Sequence, residues 1–197
     1  LVVSNKDVSD HYADSVIKSL IKNKYRPTLL ILKAGETQKN QSSIDLIHNA
    51  AYEARLERGS LMIALGGGVI GDFSGFIAST YQRGIDLIHV PTTTTAMIDS
   101  SVGGKTGLNY LGQVNLIGTY YNPKSIFIDL NFLKTLNQRD YYAGICEAIK
   151  MSITSDIDMF NELLEISDKI KSKDMKSLKD LVYWAIITKL KHVGDDP

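Results

Sequence analysis

The residues best placed to do chemistry fall between Leu61 and Lys105. A short apolar run, Leu61–Leu65, leads into Gly66-Gly67-Gly68, and then Ile70, Phe73, Phe76, Ile77 and Thr80 recur at helical spacing. A strand whose end is glycine and which feeds a helix start is a device for holding phosphate. Without Cβ atoms the backbone can approach the anion, and free N–H groups and the helix dipole point at it. Gly66, Gly68 and Gly71 also satisfy G-x-G-x-x-G. That spacing alone fits a tight strand–helix turn with no ligand about as well. The usual acidic ribose partner falls at Asp86, at the start of the next strand instead of its end.

Further along, Ile85–Val90 reads as a second buried strand, ended by Pro91 and the hydroxyl run Thr92 to Thr95. The carboxyl end of a strand is where open α/β sheets bind ligands. Asp99 and Lys105 then bracket a Gly/Ser-rich segment. A packed core needs neither charge, and an isolated surface loop does not need Gly103-Gly104. Glu147 and Lys150 lie three apart on one helical face. By themselves they read as a surface ion pair worth roughly a few tenths of a kcal/mol.

The elements that position these groups alternate. Leu1–Val3 and Thr28–Leu32 read as strands and Ser9–Asn23 and Ser43–Glu57 as helices, with Ser42 and Asp45 as a capping signal for the second. Strand–helix alternation predicts a parallel sheet with covering helices. Ser125–Leu130 reads as another strand, and Asp140 as the cap of a helix reaching Thr154. From Asp156 the pattern is helical and Lys-rich, with Leu178, Val182, Ala185 and Ile186 on one face. The fold class expected is α/β: a Rossmann-like parallel sheet over residues 1–137, then the first helices of an all-α domain over 138–197.

Composition narrows the field. Lys+Arg and Asp+Glu both number 22, so net charge argues for neither nucleic acid nor a membrane surface as partner. The single cysteine, Cys146, excludes an internal disulfide and fits a reducing, cytoplasmic setting. No apolar run reaches membrane-spanning length. The chain opens on Leu1 inside a strand and stops at Asp195-Asp196-Pro197, and so reads as a piece of a longer protein.

Gly66-Gly67-Gly68-Val69-Ile70-Gly71-Asp72, the span from Gly75 ending in Tyr81-Gln82-Arg83-Gly84-Ile85, Val90-Pro91-Thr92-Thr93, Asp99 to Gly107 and Glu147-Ala148-Ile149-Lys150 together resemble the 3-dehydroquinate synthases. These are NAD-dependent cyclases of the shikimate pathway within the sugar phosphate cyclase family. The resemblance implies the conversion of a seven-carbon ketoacid phosphate to 3-dehydroquinate with phosphate elimination, using NAD and a divalent metal, Zn or Co. It implies that Asn5, Asp7, Glu36, Lys39, Gly67, Gly68, Asp72, Thr92, Thr93, Asn115 and Thr135 line the cofactor site, with Lys134 nearby. Glu147 would be a metal ligand, and Asp99, Lys105 and Lys150 would contact substrate. Arg83 would reach the phosphate held by a neighbouring subunit, which implies a homodimer.

The chain departs from that pattern. Asn5 and Asp7 exchange the order of the family's Asp and Asn, and Val114 in Gln113-Val114-Asn115 replaces the lysine of a Gly-Lys-Asn motif. The family's two histidine ligands come from a later region, and His11, His48, His89 and His192 lack that context. The resemblance therefore implies that this chain alone is inactive. It leaves open another sugar phosphate cyclase, of inosose or valiolone type, or a non-catalytic NAD-binding paralogue.

Overall fold

The computed structural model describes residues 1–195 of the chain. They divide into two compact units, one of Leu1–Pro91 with Gly104–Phe127, the other of Thr92–Gly103 with the chain from Ile128 onward.

The first unit is built on a five-stranded sheet in the order β2-β1-β3-β4-β7, all of whose pairings are parallel. The strands are β1 (Val2–Asn5), β2 (Leu29–Leu32), β3 (Leu61–Gly66), β4 (Asp86–Pro91) and the short β7 (Ser125–Ile126). Helices α1 (Lys6–Lys22), α2 (Gln41–Glu53) and α3 (Gly68–Thr80) connect the first four. Alternation along the strands sorts the core. Val3, Met62, Ala64 and Leu87 join Ile44 and Ile47 of α2 and Phe73 and Ile77 of α3 in one cluster. Each of these side chains larger than Ala64, once fully buried, contributes about 1.5 to 3 kcal/mol. The α/β class expected from strand–helix alternation is what the chain adopts.

A two-stranded antiparallel hairpin, β5 (Lys105–Tyr110) and β6 (Gln113–Tyr120), packs on α3 in this unit. Contact is close at Gly75, where a Cβ would lie 2.4 Å from a methyl of Thr106. The turn at Leu111-Gly112 has positive φ at both residues (48° and 77°), the geometry that matches strand twist in tight hairpins. Nothing in the apolar spacing announces this hairpin, because β6 is exposed along nearly its whole length.

Several boundaries move for local hydrogen-bonding reasons. Helix α1 starts at Lys6 instead of Ser9, because the Asn5 side chain accepts from the Val8 amide. Asn40 caps α2 by accepting from Ser43, in place of the Ser42 signal. Asn137, not Asp140, caps α4 (Gln138–Ser155), accepting from the Asp140 amide. The strand expected over Ser125–Leu130 pairs only at its first two residues, and a 3₁₀ turn over Leu130–Lys134 follows, capped by Asp129.

The second unit is helical. Besides α4 it holds α5 (Ile157–Glu165), α6 (Ser167–Lys171), α7 (Met175–Asp195) and a π-turn at Ala96–Ser100. Met97 and Ile98 are fully buried in one cluster with Tyr141, Ala148, Leu178, Leu181 and Ala185. Gly144 of α4 permits this: a Cβ there would come within 2.4 Å of Thr94 and 2.5 Å of the Thr95 amide. Thr92–Gly103 thus belongs by contact with the helices, although it lies before the 137/138 break, which stays our proposal for the domain boundary. Among the described residues, no helix is long and apolar enough to cross a membrane.

His89 of β4 is 6% exposed, on the face that meets α3, with its ring under Gly71. Burial lowers its pKa to about 4. The unfolded chain, with a histidine pKa of about 6.5, binds the proton that the folded chain refuses. Stability is therefore intact above about pH 6.5 and falls as pH drops toward 4. Between pH 7 and pH 5 this one group should remove about 2 kcal/mol. Urea unfolding at both pH values should show that loss in the unsubstituted chain, and a much smaller one in His89→Gln.

Candidate functional site

In the first unit, β3 ends at Gly66 and α3 starts at Gly68, so the N-cap is Gly67, in an extended conformation with no side-chain cap. The first-turn N–H groups of α3 therefore point outward without a capping oxygen, and the positive end of the helix dipole adds to them. Asp72 lies one turn into the same helix. Its carboxylate meets the Lys39 ammonium, which also donates to Asn115 Oδ1. Lys39 is 4% exposed. A buried ammonium needs partners of this kind, since an unpaired one costs far more than the chain can spare.

Around that pair the loop after β2 and the hairpin are joined. Glu36 opens a 3₁₀ turn, Glu36–Gln38, and Lys39 directly follows it. Asn109 of β5 donates its amide to Lys39 O (3.0 Å) and its side chain to Glu36 (3.1 Å), and accepts from the Asn115 amide (2.9 Å). Asn115 has φ 54°, a left-handed bulge geometry that turns its side chain out of the strand's alternation. Lys39, Asp72 and Asn115 are thus in direct contact, with Glu36 tied in through Asn109.

Other expected positions in this unit lie apart from the cluster or in other roles. Asn5 caps α1 and Asp7 is exposed in its first turn. Arg83 is exposed at φ 68°, between Gln82 (φ 53°) and Gly84 (φ 124°). Three successive left-handed residues are costly for non-glycines, and such strain gathers where a side chain must be aimed. Lys105 is exposed at the start of β5, its ammonium 5.9 Å from the Tyr120 ring centroid. Val114 is 69% exposed.

In the second unit, Thr92 Oγ1 is buried without a hydrogen-bond partner, as are Thr94 Oγ1 and Ser101 Oγ. Thr93 Oγ1 accepts from the Ala96 amide and opens the π-turn that carries Asp99. Asp99 is paired with Lys189 of α7. Glu147 and Lys150, both on α4, are in contact. Thr135 follows the 3₁₀ turn and donates to Phe132 O.

Lys189 and Asn109 are the two residues that sequence reasoning missed. Neither has a local signal: Lys189 lies 90 positions from Asp99, and Asn109 is one polar residue in a strand whose pairing was not foreseen.

The donors present fit the two cofactors unequally. An uncapped, glycine-started helix in one unit and the unpartnered buried Thr92 hydroxyl in the other are each suited to a dinucleotide. For a metal, the described residues contain no group of three His, Cys, Asp or Glu able to hold one. Glu147 is a lone carboxylate with Lys150 beside it, and His192 is engaged with Thr188 O and Ser155. Three protein ligands are the usual minimum at a catalytic zinc, so the described residues do not by themselves fit the ion.

Residues 29–143 match the 3-dehydroquinate synthase N-terminal family. The chain belongs to that family. It is 58% identical over 187 residues to 3-dehydroquinate synthase of Prochlorococcus marinus strain NATL2A, covering 95% of this chain and 50% of the relative. The enzyme of strain MIT 9211 is 50% identical over 191 residues, 96% of this chain and 52% of the relative. The chain thus spans about half the length of the curated 3-dehydroquinate synthases it matches. Among solved structures, 2-epi-5-epi-valiolone synthase from Streptomyces hygroscopicus subsp. jinggangensis 5008, with NAD+ and Zn2+ bound, superposes with a TM-score of 0.93 at 26% identity. That match covers 99% of this chain and 55% of the other. A 2-deoxy-scyllo-inosose synthase with carbaglucose-6-phosphate, NAD+ and Co2+ gives 0.86 at 28% identity, over 98% and 52%.

Replacing Asp72 with Asn strips the buried Lys39 ammonium of its counter-charge. The expected loss is about 3 kcal/mol, or about 6 to 12 °C in Tm for a chain of this size. A calorimetric melt of Asp72→Asn against the unsubstituted chain reads it directly, and an unchanged Tm would contradict the pairing.

Proposed function

We propose that this chain is the cofactor-binding portion of a 3-dehydroquinate synthase, a phosphate-eliminating cyclase acting on a seven-carbon ketoacid phosphate in the shikimate pathway, in a cytoplasmic setting. The observation that carries the reading is the buried Lys39 ammonium held by Asp72 and Asn115, one turn from the uncapped start of α3. Three residues that the family resemblance assigns to NAD come from a loop, a helix and a hairpin, and they are in contact.

Gly67, Gly68 and the first turn of α3 meet the pyrophosphate through backbone N–H groups. Glu36 accepts from ribose hydroxyls, and Lys39, Asp72 and Asn115 shape the site beside them. Asn5 and Asp7 at the start of α1, with Thr92, Thr93 and Thr135, complete the cofactor contacts. When bound, NAD supplies a reversible hydride exchange with a secondary alcohol, and the ketone so made acidifies the neighbouring C–H. Lys105 and Lys150 supply positive charge for the substrate's acid groups and for enolate-like charge as phosphate leaves. Asp99, held by Lys189, is fixed to accept a hydrogen bond from a substrate hydroxyl. Arg83, aimed by its strained turn, reaches the phosphate on a second copy, so the working state is a homodimer. Glu147 would be one metal ligand of a set that the described residues do not complete.

A second reading rests on Val114, 69% exposed where the family carries a lysine. It is a cyclase of the same family with a different sugar phosphate, as in the valiolone and inosose synthases that the fold matches.

Calorimetric titration with NAD should give a saturable heat at one site per chain, and no heat at millimolar cofactor overturns the cofactor reading. With zinc and the seven-carbon ketoacid phosphate, the 197-residue chain should release no phosphate. The same sequence joined to the second half of a relative should do so, and turnover only of a neutral sugar phosphate would favour the second reading.

A further inference from the structure

Asn109 is half-buried on β5 and is used in three directions at once. Its amide donates to Lys39 O at 3.0 Å, its side-chain NH₂ to Glu36 Oε1 at 3.1 Å, and its side-chain oxygen accepts from the Asn115 amide at 2.9 Å. The partners stand 73 positions away in the loop after β2 and six positions away across the hairpin turn. Lys39 also joins the two segments, through Asn115. The hairpin end has little else to hold it, since Tyr110, Leu111 and Val114 are all exposed. Asn115 also keeps a left-handed φ of 54°, which a free strand would relax.

We infer that Asn109 is a positioning residue for the cofactor site, a clasp that fixes Glu36, Lys39 and Asn115 in one arrangement before NAD arrives. The inference rests on the NAD reading of those three residues. Preorganisation acts by sparing the ligand the cost of ordering them. An amide is the side chain that serves here, because it offers a donor to a carboxylate and an acceptor to a backbone N–H from the same planar group. Alanine supplies neither. Aspartate keeps the acceptor but sets a second carboxylate against Glu36, and like charges at that range raise the pKa of one of them.

Two measurements test this. The first needs no ligand: hydrogen exchange should show the Asn115 amide and the segment from Glu36 to Lys39 opening faster in Asn109→Ala, with the α3 amides unchanged. The second is NAD titration of the unsubstituted chain, Asn109→Ala and Asn109→Asp, well below their melting temperatures. Asn109→Ala should bind with undiminished stoichiometry and on the order of tenfold weaker affinity at every pH. Asn109→Asp should be weaker still at pH 7.5 and recover toward the unsubstituted chain at pH 5, each compared at the same pH, as one carboxyl takes a proton and becomes a donor. A merely structural loss would lower both variants alike and show no such recovery. Unchanged exchange at Asn115 overturns the clasp, whatever NAD does. Faster exchange with unaltered NAD affinity overturns its role toward the cofactor. No NAD binding by the unsubstituted chain overturns the cofactor reading itself, and the inference with it.

Discussion

A lysine ammonium kept from water is the constraint that orders the first unit. Lys39 is 4% exposed, and burying that charge is tolerable only if a carboxylate and a further acceptor stand within reach. Asp72 can be there because α3 begins directly after β3, which sets its first turn over the sheet edge. Asn115 can be there because β6 bulges at that residue. The glycine triplet, the helix start and the hairpin are therefore conditions for one ion pair as much as separate motifs.

Placing a charge inside costs stability that a hydrophobic replacement would not, and buried pairs are retained for specificity more readily than for strength. Here the pair, together with Asn115, links the loop after β2, the start of α3 and the hairpin. Strand pairing fixes β1 to β4 among themselves, but neither the loop after β2 nor the tip of the hairpin takes part in that ladder. Lys39 and Asn109 supply the missing connections. The strained turn at Gln82-Arg83-Gly84 is a similar case, since Tyr121 braces it with a hydroxyl bond to Ile85 O and lies against Gly84.

Legibility followed the range of the interactions. Leu61–Leu65, Ile85–Val90 and the helical face of Leu178, Val182 and Ala185 were readable because burial imposes a period on neighbouring residues. Helix starts were misplaced by two or three residues where several cap-forming side chains stand close together, as with Asn40, Ser42 and Ser43, and only geometry chooses among them. The hairpin was invisible because its second strand buries almost nothing and so shows no alternation. Lys39 was legible as a member of a family motif but not as a buried charge. Asn109 and Lys189 were legible as neither, because their partners are brought near only by the fold.

Val114 takes its meaning from this division of labour. At 69% exposure on a β-strand it packs against little, and a β-branched residue suits the strand, so exchange with lysine there changes stability by no more than about 0.5 kcal/mol. The positive charge on which the local fold depends belongs to Lys39, which is retained and paired. A cation can thus be lost at position 114 without disturbing Asn115 or the clasp beside it.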